Sequence, residues 1–268
     1  MSTIFFGVTA ALLYLWVAFR LGVRLFRRAV VNTDKRPYIV LGVGAITLHG
    51  LVLYATMVTP TGINLSFFNA ASLFTWLIAL LVTFSSMFKP VENLGVALLP
   101  LAAVAVLLSL AFPANTVHLN DAKVGLDIHV IVSILAFSFL NIAAIQALLL
   151  AVQNRQLRQR HPGGFIRSLP PLQTMEQLLF QMIGLGFALQ TLSLITGFVF
   201  LEDMFAQHLV HKTVLAITAW VVFATLLCGR WRFGWRGKTA IKWTLGGFIA
   251  LMLAYFGSKL VLELVLHH

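Results

Sequence analysis

The chain has 268 residues, 60% of them hydrophobic and only 10% charged, with a net charge of +11. That composition excludes an ordinary water-soluble fold and leaves no room for a further soluble domain, so a single polytopic membrane domain over residues 1–268 is expected. A basic balance this strong would suggest nucleic acid in a soluble protein, but here the bases sit in separate short loops, where membrane topology and anionic lipid account for them; no nucleic-acid partner is expected.

Eight long apolar stretches occupy residues 4–25, 38–58, 64–86, 93–112, 126–152, 180–201, 212–229 and 240–266. Each approaches or exceeds the roughly 20 residues that a helix needs to cross about 30 Å of hydrocarbon. The predicted fold class is an all-α membrane protein, an eight-helix transmembrane bundle.

The first stretch runs straight into Arg20, Arg24, Arg27, Arg28, Lys35 and Arg36, as an uncleaved first helix does. A Thr59-Pro60-Thr61-Gly62 turn joins the second and third stretches, and Lys89-Pro90 joins the third and fourth. After the fifth stretch comes the longest polar segment, residues 154–173, where Arg155, Arg158, Arg160 and Arg167 accompany Pro162-Gly163-Gly164 and a double proline; it reads as a loop between helices one to five and helices six to eight. The seventh and eighth stretches are separated by Arg230, Arg232, Arg236, Lys238 and Lys242. Sixteen of the 19 Lys and Arg residues therefore fall in alternate gaps or in the stretch ends that border them, leaving only Lys123, Lys212 and Lys259 elsewhere. The positive-inside rule makes the basic gaps cytoplasmic and puts both termini outside the cytoplasm.

Cys228 is the single cysteine, so the sequence holds no intramolecular disulfide, CxxC or CxxCH motif. No tandem repeat is apparent. Gly184, Gly186 and Gly197 in the sixth stretch and Gly246 with Gly247 in the eighth read as close-packing positions between membrane helices.

Most histidines fall near the expected outer face. His129 comes three residues into the fifth stretch, about 5 Å below that interface at 1.5 Å per residue. His211 marks the start of the seventh stretch, His267 and His268 end the eighth, and His118 and His208 lie in outer loops; only His161 is inside. His49 follows the start of the second helix by 11 residues and lies near mid-membrane. An imidazole there can ligate haem iron, bind zinc, relay protons, or satisfy a backbone carbonyl, and for any one of these residues a hydrogen-bonded structural role is the simplest reading. Zinc lacks close ligand spacing such as HExxH, and proton relay lacks an Asp or Glu at a helix centre. Haem needs only one or two imidazoles plus apolar walls, for which Trp76, Trp220, Phe198 and Phe205 are candidates.

Leu126-Asp127-Ile128-His129 leading into VIVSILAFSFLNIAAIQALLL, the segment IGLGFALQTLSLITGFVF at 183–200, Trp220, the block Gly234-Trp235-Arg236-Gly237, and GGFIALMLAYFG at 246–257 occur in that order. In that order they resemble the cytochrome c assembly superfamily of haem-handling membrane proteins, which includes the CcsA, CcmC and HemX types. The strongest resemblance covers residues 126–257, and INLSFFNAASLFTW at 63–76 is a looser match. The His211-Lys212-Thr213 entry to the seventh helix is most similar to the YpjD-like inner-membrane subgroup. Two departures stand out: the family's tryptophan-rich outer segment is replaced by LEDMFAQHLVHKTV at 201–214, and Cys228 stands where CcsA-type proteins carry a membrane histidine.

The resemblance implies a haem-binding protein of the bacterial inner membrane, neither hydrolase nor oxidoreductase, that holds non-covalent b-type haem near the periplasmic face. His129 is the first candidate axial ligand. His211 and His267, the latter approximately in register with the family's last outer histidine, compete for the second position. Lys212 or Lys259 would meet a propionate, and Trp220 would line the macrocycle. His49 suits either a second, internal haem site or a polar packing role. Expected partners are the lipid bilayer, haem, and an apocytochrome or another membrane protein. The rival reading is a haem-free accessory or transport subunit that keeps the family fold.

Overall fold

The structure is a computed structural model that describes residues 2–26, 36–59, 62–64, 66–88, 92–113, 124–159, 169–200 and 210–257. Among them are eight α-helices: α1 (Ser2–Phe26), α2 (Arg36–Met57), α3 (Phe67–Phe88), α4 (Glu92–Ala111), α5 (Val124–Arg158), α6 (Leu172–Phe200), α7 (Val210–Phe233) and α8 (Gly237–Met252), the last continuing as a π-helical turn, Leu253–Gly257. All eight are long and apolar enough to cross a membrane, α8 with its π-helical turn included. Helices dominate because hydrocarbon offers no partner for a free N–H or C=O, so each span must satisfy its own backbone. The residues form two compact units: Met1–Asn120 with Arg160–Pro170, and Asp121–Gln159 with Pro171–His268.

In the first unit α1 packs on α2 and α4, and α3 packs on α2 and α4. Its core is built around Tyr14, with Ala45, Val52, Ala79, Ala102, Ala103 and Val106 all fully buried. Alanines at these crossings let backbones approach where apolar lipid supplies no hydrophobic drive for association. Pro100 lies inside α4, which continues through it; neighbouring helices make the missing backbone N–H tolerable in a membrane. After α2 comes a small antiparallel pair, with Val58 opposite Ile63 and Thr59 opposite Gly62.

In the second unit α5 packs along α6 and against α8, while α7 packs against α6 and α8. Phe137, Leu140, Leu179, Ile183, Phe223 and Leu226 are buried at its centre. Phe137 meets the rings of Phe248, Tyr255 and Phe256 at centroid distances of 6.2, 4.9 and 5.7 Å.

The helices overrun their apolar stretches at the basic end. α5 continues through Gln153 to Arg158, and α6 begins at Leu172, immediately after Pro170-Pro171. Charge alone does not stop a helix; the breakers do, and they lie farther along at Pro162-Gly163-Gly164 and at the double proline. At its other end α5 starts at Val124, two residues before the apolar stretch.

Candidate functional site

His129 is the sixth residue of α5, half-buried against the last third of α6. Its Nδ1 lies 2.9 Å from the Ser193 carbonyl oxygen and 3.3 Å from Thr196 Oγ1. A carbonyl can only accept, so Nδ1 carries the proton and donates it. That fixes the neutral tautomer in which Nε2 keeps its lone pair. Nε2 makes no hydrogen bond to any described residue.

The surroundings hold this ring in place. Ser133 Oγ donates to the His129 carbonyl at 2.6 Å, one helical turn back along α5, and lies 2.6 Å from Ser193 Oγ across the helix interface. Because the Ser133 proton is already used, Ser193 is the donor in that pair. Thr196 Oγ1 donates to Leu192 O and Ser193 O at 2.9 and 3.0 Å, which leaves its lone pairs for the imidazole. Tyr255, in the π-helical turn, also hydrogen-bonds Ser133. A metal-binding histidine is commonly oriented this way, by a carbonyl accepting from the ring nitrogen that does not ligate. The donor set therefore fits one axial imidazole for haem.

His49 is different in kind. It is fully buried in the first unit, with Nε2 2.9 Å from Ser72 Oγ and Nδ1 3.3 Å from Tyr14 Oη. Ser109 Oγ extends the network to Ser72 at 3.5 Å. Both ring nitrogens are engaged by hydroxyls, so in this arrangement the residue does polar packing.

His211 is exposed at the first turn of α7 and Lys212 beside it is half-buried. It shares with His129 the end of the second unit formed by the start of α5, the end of α6 and the start of α7. Trp220 stands apart from His129: its Nε1 donates to Thr191 Oγ1 at 2.8 Å and its ring stacks on Phe187 at 5.4 Å. Thr191 and Ser193 are two residues apart, a rotation of about 200° at 3.6 residues per turn. Trp220 and His129 consequently contact opposite sides of α6. Trp76 belongs to the first unit, donating Nε1–H to Ile46 O at 2.8 Å, and Phe198 is exposed on α6. His267, Lys259, Phe205, His118, His161 and His208 lie outside the described residues. Among the described residues no three His, Cys, Asp or Glu side chains converge on a point that could hold a metal ion.

Sequence reasoning missed the hydroxyl cradle of Ser133, Ser193 and Thr196. Its one available signal is spacing: Ser133 lies four residues after His129 and Thr196 three after Ser193, which puts each pair on one helical face. The Gly234-Trp235-Arg236-Gly237 block, by contrast, is a turn. Gly234 ends α7 at φ 65°, with its N–H on Arg230 O at 3.1 Å, the single bond of an αL ending, and that of Trp235 reaching back to Gly229 O at 3.2 Å. Arg236 Nε and the Gly237 N–H both donate to Glu176 of α6, at 2.8 and 2.9 Å.

Comparison with known proteins agrees with this architecture. The inner membrane protein YpjD of Escherichia coli K12 is 32% identical over 237 residues, covering 86% of this chain and 88% of its own. An uncharacterized 28.8 kDa protein of Azospirillum brasilense is 31% identical over 58% of each chain. The cytochrome c biogenesis protein CcsA of Gloeothece citriformis is 28% identical over 41% of this chain and 34% of its own. No solved structure matches. Eight spans and an inner-membrane relative of nearly the same extent make this a multi-pass protein of the inner membrane. The family model for cytochrome c assembly proteins matches residues 39–266, from the first turn of α2 onward, and the chain belongs to that family.

Proposed function

We propose that the protein is a non-enzymatic haem-holding subunit of the cytochrome c assembly type, with His129 as an axial ligand. The observation that carries this reading is the Nδ1–H to Ser193 O bond, which orients the ring and leaves Nε2 basic. Haem, when bound, would supply the iron that Nε2 ligates. His211 and His267 are the competing second ligands, and Lys212 is suitably charged to meet a propionate. A face directed to the periplasm follows from the base-poor end of α5, α6 and α7 under the positive-inside rule. The relatives named for cytochrome c biogenesis support an apocytochrome, or a membrane protein that receives haem, as the partner.

The deciding experiment is the visible spectrum of the protein purified after expression with ample haem. A near-stoichiometric, extractable b-type haem with a Soret band is expected. A colourless protein that also fails to take up added haemin would overturn the reading and leave a haem-free accessory subunit.

A further inference from the structure

Where the end of α5 meets the start of α8, at the basic end of the second unit, a cleft of about 450 Å³ opens. Its rim carries Arg155 and Arg158 from α5 and Lys238 and Lys242 from α8, and Ala151 and Ile241 form its floor. The four cations are exposed at their positions, and none is in an ion pair with a described residue. Glu176, the acidic residue described at this end of the unit, is already committed to Arg236 and the Gly237 N–H.

This arrangement works against α8 in particular, while the last turn of α5 suits the charge of Arg155 and Arg158 but not their crowding. Arg155 with Arg158 and Lys238 with Lys242 are like-charge pairs at i,i+3 and i,i+4, a spacing that destabilises a helix. Lys238 and Lys242 also occupy the first two turns of α8, whose first turn holds no acidic residue, so they face the positive end of its dipole. An anion in the cleft would relieve both conflicts. Topology requires bases at this end of the chain but does not require them to converge from two helices on one cleft.

Two observations identify the anion as a lipid headgroup. Trp231 and Phe233, at the end of α7, are 85% and 74% exposed, which places this level of the unit at the membrane interface. Leu148 and Ile249, seven residues from Arg155 and Lys242 on the same helical faces, are exposed toward the membrane interior. Apolar surface thus continues below the charged rim, as acyl chains beneath a phosphate require. We infer that the cleft between α5 and α8 binds the phosphodiester headgroup of an anionic phospholipid.

Native mass spectrometry of the detergent-purified protein, titrated with cardiolipin, phosphatidylglycerol or phosphatidylcholine, tests this. Saturable binding of one of the two anionic lipids, at least about tenfold stronger than phosphatidylcholine, is expected. R158Q/K242Q should weaken it by roughly tenfold, whereas R20Q/R232Q, with the same loss of charge outside the cleft, should not, and the charge-conserving K242R should retain binding. Equal weakening in both double variants would show a nonspecific charge effect and overturn the site, as would absence of headgroup preference in the unmodified protein, whatever the variants do. A melting temperature raised as much by inorganic phosphate as by the anionic lipid at equal concentration would identify a free-phosphate site and overturn the lipid assignment.

Discussion

His129 and Ser193 are 64 positions apart in the chain, yet the ring nitrogen of one donates to the backbone carbonyl of the other at 2.9 Å. The bond joins the start of α5 to the last third of α6. The same carbonyl also receives Thr196 Oγ1 at 3.0 Å, through a proton that Thr196 shares with Leu192 O at 2.9 Å. Because the acceptor is backbone, substitution at Ser193 does not remove it; only His129 itself can be tested directly.

His129→Ala should therefore abolish haem retention or shift the Soret band, since the imidazole that would hold the iron is gone. Added imidazole should partly restore the parent spectrum by entering the vacated position. His161→Ala, in the expected cytoplasmic loop, should leave the spectrum unchanged. A His129 variant with full haem and the parent spectrum would make His129 structural and return the ligand role to His211 and His267.

His49 supports the opposite expectation. Replacing it with Ala strands the hydroxyls of Tyr14 and Ser72 and opens a cavity, a loss of about 2–4 kcal/mol. Tyr14→Phe removes one 3.3 Å contact and should cost less than about 1 kcal/mol, the scale of hydrogen bonds between membrane helices. Thermal unfolding in detergent should rank the two in that order, with haem content unchanged in Tyr14→Phe. The reverse ranking would show that the tyrosine, not the histidine, organises the network.

The eight spans were legible because twenty apolar residues have few alternatives in this composition. The ends of α5 and α6 were not. Arg155 and Arg158 read as loop and Glu176 fell between that loop and the sixth stretch, yet α5 runs to Arg158 and α6 begins at Leu172, right after a double proline. The position of His129 near a helix start was also readable. Its Ser193 partner was not, because serines in an apolar helix carry no pattern that says which neighbour they face. Trp220 shows the reverse failure: its aromatic character suggested a macrocycle wall, while its indole N–H is bonded to Thr191 on the far side of α6.

The turn between α7 and α8 separates backbone strain from side-chain contact. Gly237 has φ 53°, and a Cβ placed there would meet Glu176 Oε1 only at 3.9 Å, so Gly237→Ala should cost about 1–2 kcal/mol through conformation alone. Gly229→Ala would run into the Trp235 ring and should cost more. Glu176→Ala should lose about 1 kcal/mol, chiefly from the stranded Gly237 N–H, because Arg236 is 53% exposed and its ion pair is screened. A loss in Glu176→Ala exceeding that of Gly229→Ala, by thermal melting, would mean that the ion pair dominates.

Orientation follows from charge and has a direct readout. A reporter active only outside the cytoplasm, fused after Gly163, should give no signal, and one fused after Asn120 should be active. A strong signal at Gly163 would invert the chain and put His129 at the cytoplasmic end, overturning the proposed periplasmic placement of haem while leaving the helix packing intact.

Two glycines on α6 should respond oppositely to the same methyl group. At Gly186 a Cβ would sit 2.7 Å from Leu140 Cγ and 3.4 Å from the Leu140 backbone nitrogen, so α5 and α6 would have to move apart. Gly186→Ala should destabilise by about 1–3 kcal/mol through overpacking. At Gly184 nothing lies within 4 Å, and Ala there gains up to about 1 kcal/mol of helix propensity. Since Leu140 lies on the α5–α6 interface that also holds His129 to Ser193, Gly186→Ala should lower haem occupancy along with the melting temperature, while Gly184→Ala lowers neither. If both variants melt like the parent, the two helices are not in close contact at Leu140, and small-residue packing does not set their separation.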